Sequence, residues 1–128
     1  MSILLDTNVV IHIRDGDVSI TRRFAALDAV PAVSVLTLIE LEGGAASDPL
    51  RRARLDALLP AFRVLPLLPE HVDIYRRIIT QARFARRKII DRAIAAMALA
   101  ANMRLATTNM RDFEDIDGLR LDDWSPLK

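Results

Sequence analysis

The 128-residue sequence has no cysteine, four glycines, one tryptophan, one tyrosine and two histidines. The lack of cysteine excludes a disulfide scaffold, a thiolate metal site and a cysteine nucleophile, and it suits a reducing compartment. His12 and His71 are too few for a histidine-rich zinc site. His12 reads as a helix-surface or core residue, and His71 as a solvated residue at a helix start. The four glycines form neither Gly-x-Gly-x-x-Gly nor a phosphate-binding P-loop, and no His-Glu-x-x-His or serine-elbow motif occurs. No apolar run approaches the roughly 20 residues of a membrane span. The first, Ile3-Leu4-Leu5, stops at Asp6. A basic start followed by a long apolar stretch, the mark of a signal peptide, is also missing. A cytoplasmic protein with no membrane partner is expected. The net charge is +1, so no overall pull toward nucleic acid exists.

An apolar fraction of 52% beside 27% charged residues excludes an intrinsically disordered chain. The length predicts one domain over residues 1–128, burying roughly two thirds of its unfolded surface. Lysine is nearly absent: of 18 basic residues, only Lys88 and Lys128 are not arginine. Arginine suits bidentate recognition of phosphate, although a GC-rich genome gives the same bias. The basic residues cluster at 51–54, at Arg76-Arg77 and from Arg83 to Lys88, and acids gather from Asp112 to Asp123. A basic patch beside an acidic pocket fits such a near-neutral chain.

Short apolar segments alternate with helical patterns. Ser2 to Leu5, Pro31 to Val35, Phe62 to Leu68, Arg104 to Thr107 and Leu119 to Leu121 read as strands. Pro66 confines the third to a sheet edge or a strand end. Helices are expected after Asp6, after a Ser19 or Thr21 cap, from Thr37 to Gly43-Gly44, from Pro49, from Glu70 to Ala85 and from Ile89 to Asn102. Leu50, Leu55, Leu58 and Leu59 form one predicted inner face; Val72, Tyr75, Ile78, Ile79 and Ala82 form another. Met97 and Met103 read as core filler, and Trp124 as packing the tail down. The alternation predicts an α/β fold with a central, mostly parallel sheet of four to five strands and helices on both faces.

In such sheets, sites lie at the carboxyl ends of the strands. Asp6 ends strand one, Glu40 lies one turn into the helix after strand two, Asp91 opens the alanine-rich helix, and Asn109 and Asp112 follow strand four. Carboxylates gathered there repel one another and need a cation; their hard oxygens suit Mg²⁺ or Mn²⁺. That arrangement suits phosphate ester hydrolysis. Each acid also has a structural reading. Asp6 can cap a helix, Glu40 stands at capping-box spacing from Thr37, Asp91 can favour the helix dipole, and Asn109 with Asp112 can start a short helix. Apolar neighbours on both sides of Asp91 predict burial, and a buried carboxylate needs a partner.

The segments Leu4-Leu5-Asp6-Thr7-Asn8, Ser34 to Leu41, Ile90 to Ala96 and Leu105 to Phe113 resemble the motifs of PIN domains, in the same order. From about residue 3 to 124 the chain resembles the VapC-type toxins of bacterial toxin–antitoxin pairs. The resemblance implies a PIN-like three-layer sandwich and a Mg²⁺- or Mn²⁺-dependent endoribonuclease that cuts structured RNA, commonly transfer RNA. It also implies a homodimer held inactive by a cognate antitoxin, whose tail occupies the acidic groove. Carried over by position, Asp6 and Asp91 are the principal metal ligands, and Glu40 is a ligand or orients the attacking water. Asn109 stands where many relatives have Asp, so either Asn109 or Asp112 completes the site, with one metal ion or two. Thr7, Asn8 and Thr107 are candidate donors that hold the carboxylates. A glycine common upstream of the Asp91 segment is replaced by Arg83, Arg86, Arg87 and Lys88, which form either a solvated helix end or a hold on the RNA backbone. A non-cleaving module that binds RNA or a peptide in a degenerate acidic groove is the alternative. A phosphoacceptor or phosphatase domain fits less well, because Asn8 stands where its second acid belongs.

Overall fold

Ile3, Leu4 and Leu5 have no polar face to offer water, so a strand built from them must be covered on both sides. The computed structural model, which describes residues 2–126, places this strand, β1 (Ile3–Leu5), at the centre of a five-stranded sheet. The others are β2 (Ala32–Ser34), β3 (Arg63–Leu65), β4 (Arg104–Thr107) and β5 (Leu121–Asp123), in the order β3-β2-β1-β4-β5. Every pairing is parallel, with Leu5 opposite Val33 on one side and Ala106 on the other.

Among the described residues six α-helices cover the sheet: α1 (Thr7–Arg14), α2 (Val18–Ala25), α3 (Val35–Ala45), α4 (Pro49–Leu58), α5 (Pro69–Ala82) and α6 (Ile89–Ala101). Alternate strand residues feed two cores. Ile3, Leu5, Val33 and Ala106 join Val9, Ile20, Leu41, Leu55 and Trp124 on the face of α1 to α4. Leu4, Ala32 and Leu105 join Ile78, Ala95, Ala96, Ala98, Met97, Met103, Phe113 and Ile116 on the face of α5 and α6. Each fully buried leucine contributes about 2 kcal/mol. The result is the expected three-layer α/β sandwich.

The differences from expectation are local. The cap of α2 is Asp17, whose carboxylate accepts from Ile20 N at 2.9 Å, not Ser19 or Thr21. Helix α3 starts two residues early because Ser34 caps it by accepting from Leu36 N, and it runs past both glycines. That cap removes the capping-box role offered for Glu40. His71 is buried, not solvated, and its Nδ1 accepts from Leu68 N at 2.9 Å at the start of α5. Leu50 and Val72, predicted inward, are exposed. The edge strands shift: β3 stops at Leu65, before Pro66, and β5 begins at Leu121.

Candidate active site

After β3 the chain returns across the sheet to lay β4 beside β1 on the side away from β2. The strand order therefore reverses between β1 and β4, which opens a crevice at their carboxyl ends. Asp6 sits in that crevice. Its backbone N–H donates to Ala106 O at 2.9 Å, closing the ladder with β4. One carboxylate oxygen accepts from Thr7 N at 2.8 Å, and the other accepts from Thr107 Oγ1 at 3.0 Å. Asp6 thus does cap α1, and the same side chain is 1% exposed among other acids. Burial, the charge of Asp91 and the charge of Glu40 outweigh those two hydrogen bonds and push Asp6 up to about 7.

Asp91 stands in the first turn of α6 and is half-buried; the deeply buried residue of that turn is its neighbour Arg92. Burial and the charges of Asp112 and Glu40 push Asp91 up to about 6, against the pull of Lys88 and Arg92. Glu40, on α3, accepts from Thr7 Oγ1 at 2.7 Å. Thr7 has one hydroxyl proton, so the 2.8 Å contact with Thr37 Oγ1 has Thr37 as donor. Beyond β4, Asn109 donates its backbone N–H to Thr107 Oγ1 at 3.0 Å and its Nδ2 to Asp112 Oδ2 at 2.7 Å.

The structure therefore brings Asp6, Glu40, Asp91 and Asp112 into one electrostatic neighbourhood, with Thr7, Thr107 and Asn109 as hydrogen-bond holders. It gives Asn8 no such role: Asn8 is exposed and makes no side-chain hydrogen bond among the described residues. The acids flank the crevice without converging; among the described residues no three acidic or histidine side chains form a ready-made cage. All the donors are hard oxygens, and two of them resist ionisation because of burial and their neighbours. Such a set fits a divalent cation that would relieve both. Arg83, Arg86 and Arg87 are exposed and Lys88 is half-buried on the way into α6. Thr37 was missed from the sequence. Its signal was its position one turn before Glu40 on the same helix face.

The geometry has counterparts. The PIN domain family matches residues 3–119. The tRNA(fMet)-specific endonuclease VapC of Shigella flexneri is 30% identical over 132 residues, covering 98% of this chain and 99% of that one. The chain belongs to the VapC family of PIN-domain proteins. Two solved VapBC structures share the fold. VapBC2 of Rickettsia felis, bound to a DNA fragment from its promoter, superposes with a TM-score of 0.86 at 23% identity, covering 97% of this chain and 99% of that one. VapBC-5 of Mycobacterium tuberculosis, a member of the VapBC family of toxin–antitoxin systems, gives 0.64 at 25% identity, covering 96% and 98%. Among the described residues of this VapC-family chain, no helix is long and apolar enough to cross a membrane.

Proposed function

We propose that the chain is a Mg²⁺- or Mn²⁺-dependent endoribonuclease toxin that hydrolyses phosphodiester bonds of transfer RNA. The observation that carries this reading is the pair Asp6 and Asp91, two carboxylates pushed to about 7 and about 6 by burial and like charge at the reversal point of the sheet. Asp6 and Asp91 would hold the cation, with Glu40 and Asp112 beside them. When bound, it supplies charge neutralisation at the phosphate and a lowered pKa for water. Thr7 N–H and the Thr107 hydroxyl fix both oxygens of Asp6 in place. Thr7 also fixes Glu40 by one oxygen, leaving the other to accept a proton from the attacking water. The water oxygen bonds to phosphorus, one ester oxygen leaves, and that oxygen takes up a proton. Arg83, Arg86, Arg87 and Lys88 hold the RNA backbone without reading its sequence.

The Shigella flexneri relative's name supports transfer RNA as substrate. Membership of the VapC family supports a cognate antitoxin that inhibits the enzyme, and a homodimer. A second reading, a groove that binds RNA or a peptide without cutting, draws on one observation: no three acids converge among the described residues. Antitoxin-free protein incubated with total transfer RNA separates the two. Discrete fragments that require Mg²⁺ or Mn²⁺, vanish in EDTA and vanish in Asp91→Asn are expected. Cleavage undiminished by EDTA overturns the metal-dependent mechanism; cation binding without cleavage of any RNA favours the second reading.

A further inference from the structure

The last turn of α5 gives way to residues 83–85, which lead through a short 3₁₀ turn (Arg86–Lys88) into α6 and Asp91. This segment carries a side chain that neither the core nor the catalytic crevice uses. Phe84 is 57% exposed. The other three phenylalanines are buried or half-buried: Phe24 and Phe62 pair ring to ring at 5.6 Å, and Phe113 is fully buried. Phe84 makes no ring contact among the described residues. Arg83, Arg86, Arg87 and Lys88 flank it, and none of them forms an ion pair among the described residues. Arg51 and Arg52 of α4 differ: they are bridged to Asp48, Glu42 and Asp56.

The backbone gives a second observation. Arg83 has φ 72° and ψ 148°, at the border of a region that glycine enters readily and other residues enter under strain. Glycine would remove the strain. The chain instead has two large, exposed side chains in succession, and packing explains neither.

We propose that Phe84 is a stacking platform for an unpaired base of the substrate RNA. The inference rests on the endoribonuclease reading. A base has an apolar face and an anionic backbone. An exposed ring beside the exposed guanidinium groups of Arg83, Arg86 and Arg87, which form no ion pair among the described residues, matches both, whatever the base's identity. An apolar protein surface matches the ring alone and would strip water from several unpaired cations. Bases stacked inside a duplex cannot reach the ring, so its contribution is confined to single strands.

The test uses the full chain in an Asp91→Asn background, which should hold RNA without cutting it. The probe is a single-stranded RNA oligonucleotide carrying one 2-aminopurine, with its blunt duplex as control. Phe84→Ala is expected to lose roughly ten-fold in affinity for the single strand, together with the 2-aminopurine quenching. It should leave duplex affinity and the salt dependence of binding unchanged, because no charge is lost. Phe84→Trp should restore both losses. Arg86→Ala should behave differently, lowering the salt slope by about 0.7. Unchanged single-strand affinity in Phe84→Ala overturns the proposal, and altered sedimentation with unchanged RNA affinity overturns it in favour of a protein interface. Failure of the nuclease reading looks different: the chain with Asp91 intact would then leave RNA uncut in Mg²⁺ or Mn²⁺, whatever Phe84→Ala does to binding.

Discussion

Asp6 and Arg92 are the most deeply buried charged residues described in the chain, 1% and 2% exposed, and they meet opposite surroundings. Asp6 faces its own sign in Asp91 and Glu40, and its hydrogen bonds come from neutral groups, Thr7 N and the Thr107 hydroxyl. Arg92 faces the opposite sign: its Nη2 donates to Asp115 Oδ2 at 3.1 Å and to Ala82 O at 3.3 Å. Burial raises Asp115, but the Arg92 hydrogen bond and charge outweigh it and hold Asp115 below the usual carboxylate range. Burial of a charge therefore does not by itself mark a site. A charge paired within the fold serves the fold, here by tying the end of α5 to the loop after Phe113 through Nη2 alone, since the buried Nε and Nη1 of Arg92 have no partner among the described residues. A charge crowded by its own sign is held at a cost that a proton or a bound cation relieves.

The largest expected effect breaks the Asp6 side of this contrast. Asp6→Asn should lower RNA cleavage by more than about 100-fold, because mutating the partners behind metal ligands already costs about 10–100-fold. The same variant should raise the thermal midpoint of the metal-free protein, since a neutral amide does not oppose Asp91. Loss of cleavage accompanied by unfolding would show that Asp6 serves the fold as Arg92 does.

The pH dependence of stability should run in opposite directions in the two regions. The folded values of Asp6 and Asp91, about 7 and about 6, lie above the unfolded value of 3.8. The folded metal-free protein therefore keeps protons that the unfolded chain has released. As the two acids titrate together, its stability falls while pH rises from 3.8 to about 7. Asp115 contributes stability that is present above its unfolded pKa and lost as pH falls. Thermal midpoints in EDTA across this range should show the fall, Asp6→Asn should flatten it, and Mg²⁺ should raise the midpoint more at pH 8 than at pH 5. A midpoint in EDTA that rises steadily with pH would contradict the crowded-acid account.

Breaking the answered charge should cost stability and spare chemistry. Asp115→Ala leaves a buried guanidinium with a backbone carbonyl alone, a loss of about 1–3 kcal/mol in urea unfolding. Arg92→Met removes the buried charge itself and leaves Asp115 in water, so it should cost less. The reverse order would place the weight of the clip on packing rather than on charge.

One half of this contrast was legible in the sequence. Asp6 stood out because it ends an apolar run that reads as a buried strand, where a parallel sheet places its site. Asp91 stood out because it opens a helix with apolar neighbours. The burial falls one residue away from where those neighbours suggested: they enclose Arg92, since adjacent helix positions point about 100° apart. Asp115 lies 23 residues from Arg92 in a polar stretch with no periodicity, so their pairing had no local signal. Asp6 and Asp48 cap their helices as their positions suggested, but the cap of α2 had no local signal either. Asp17 and Ser19 are both good caps, and only the path of the chain through the Gly16 turn, at φ 82°, selects Asp17.

The smallest expected effect sharpens the contrast inside the site. Thr107 is fully buried; its hydroxyl donates to Asp6 Oδ2 and accepts from Asn109 N, so one oxygen links the Asp6 carboxylate to the residue that holds Asp112. Thr107→Val keeps the shape and removes both bonds. Asp6 then loses a hydrogen bond that lowers its pKa, and a smaller share of it is ionised at neutral pH. Cleavage should fall about ten-fold. The acid limb of the pH–rate profile should move to higher pH, so that raising the pH recovers part of the loss, and Thr107→Ser should restore the profile. A merely structural threonine would lower stability in Thr107→Val and leave that limb in place. The position of the limb, more than the size of the rate loss, therefore tests whether Thr107 acts through Asp6.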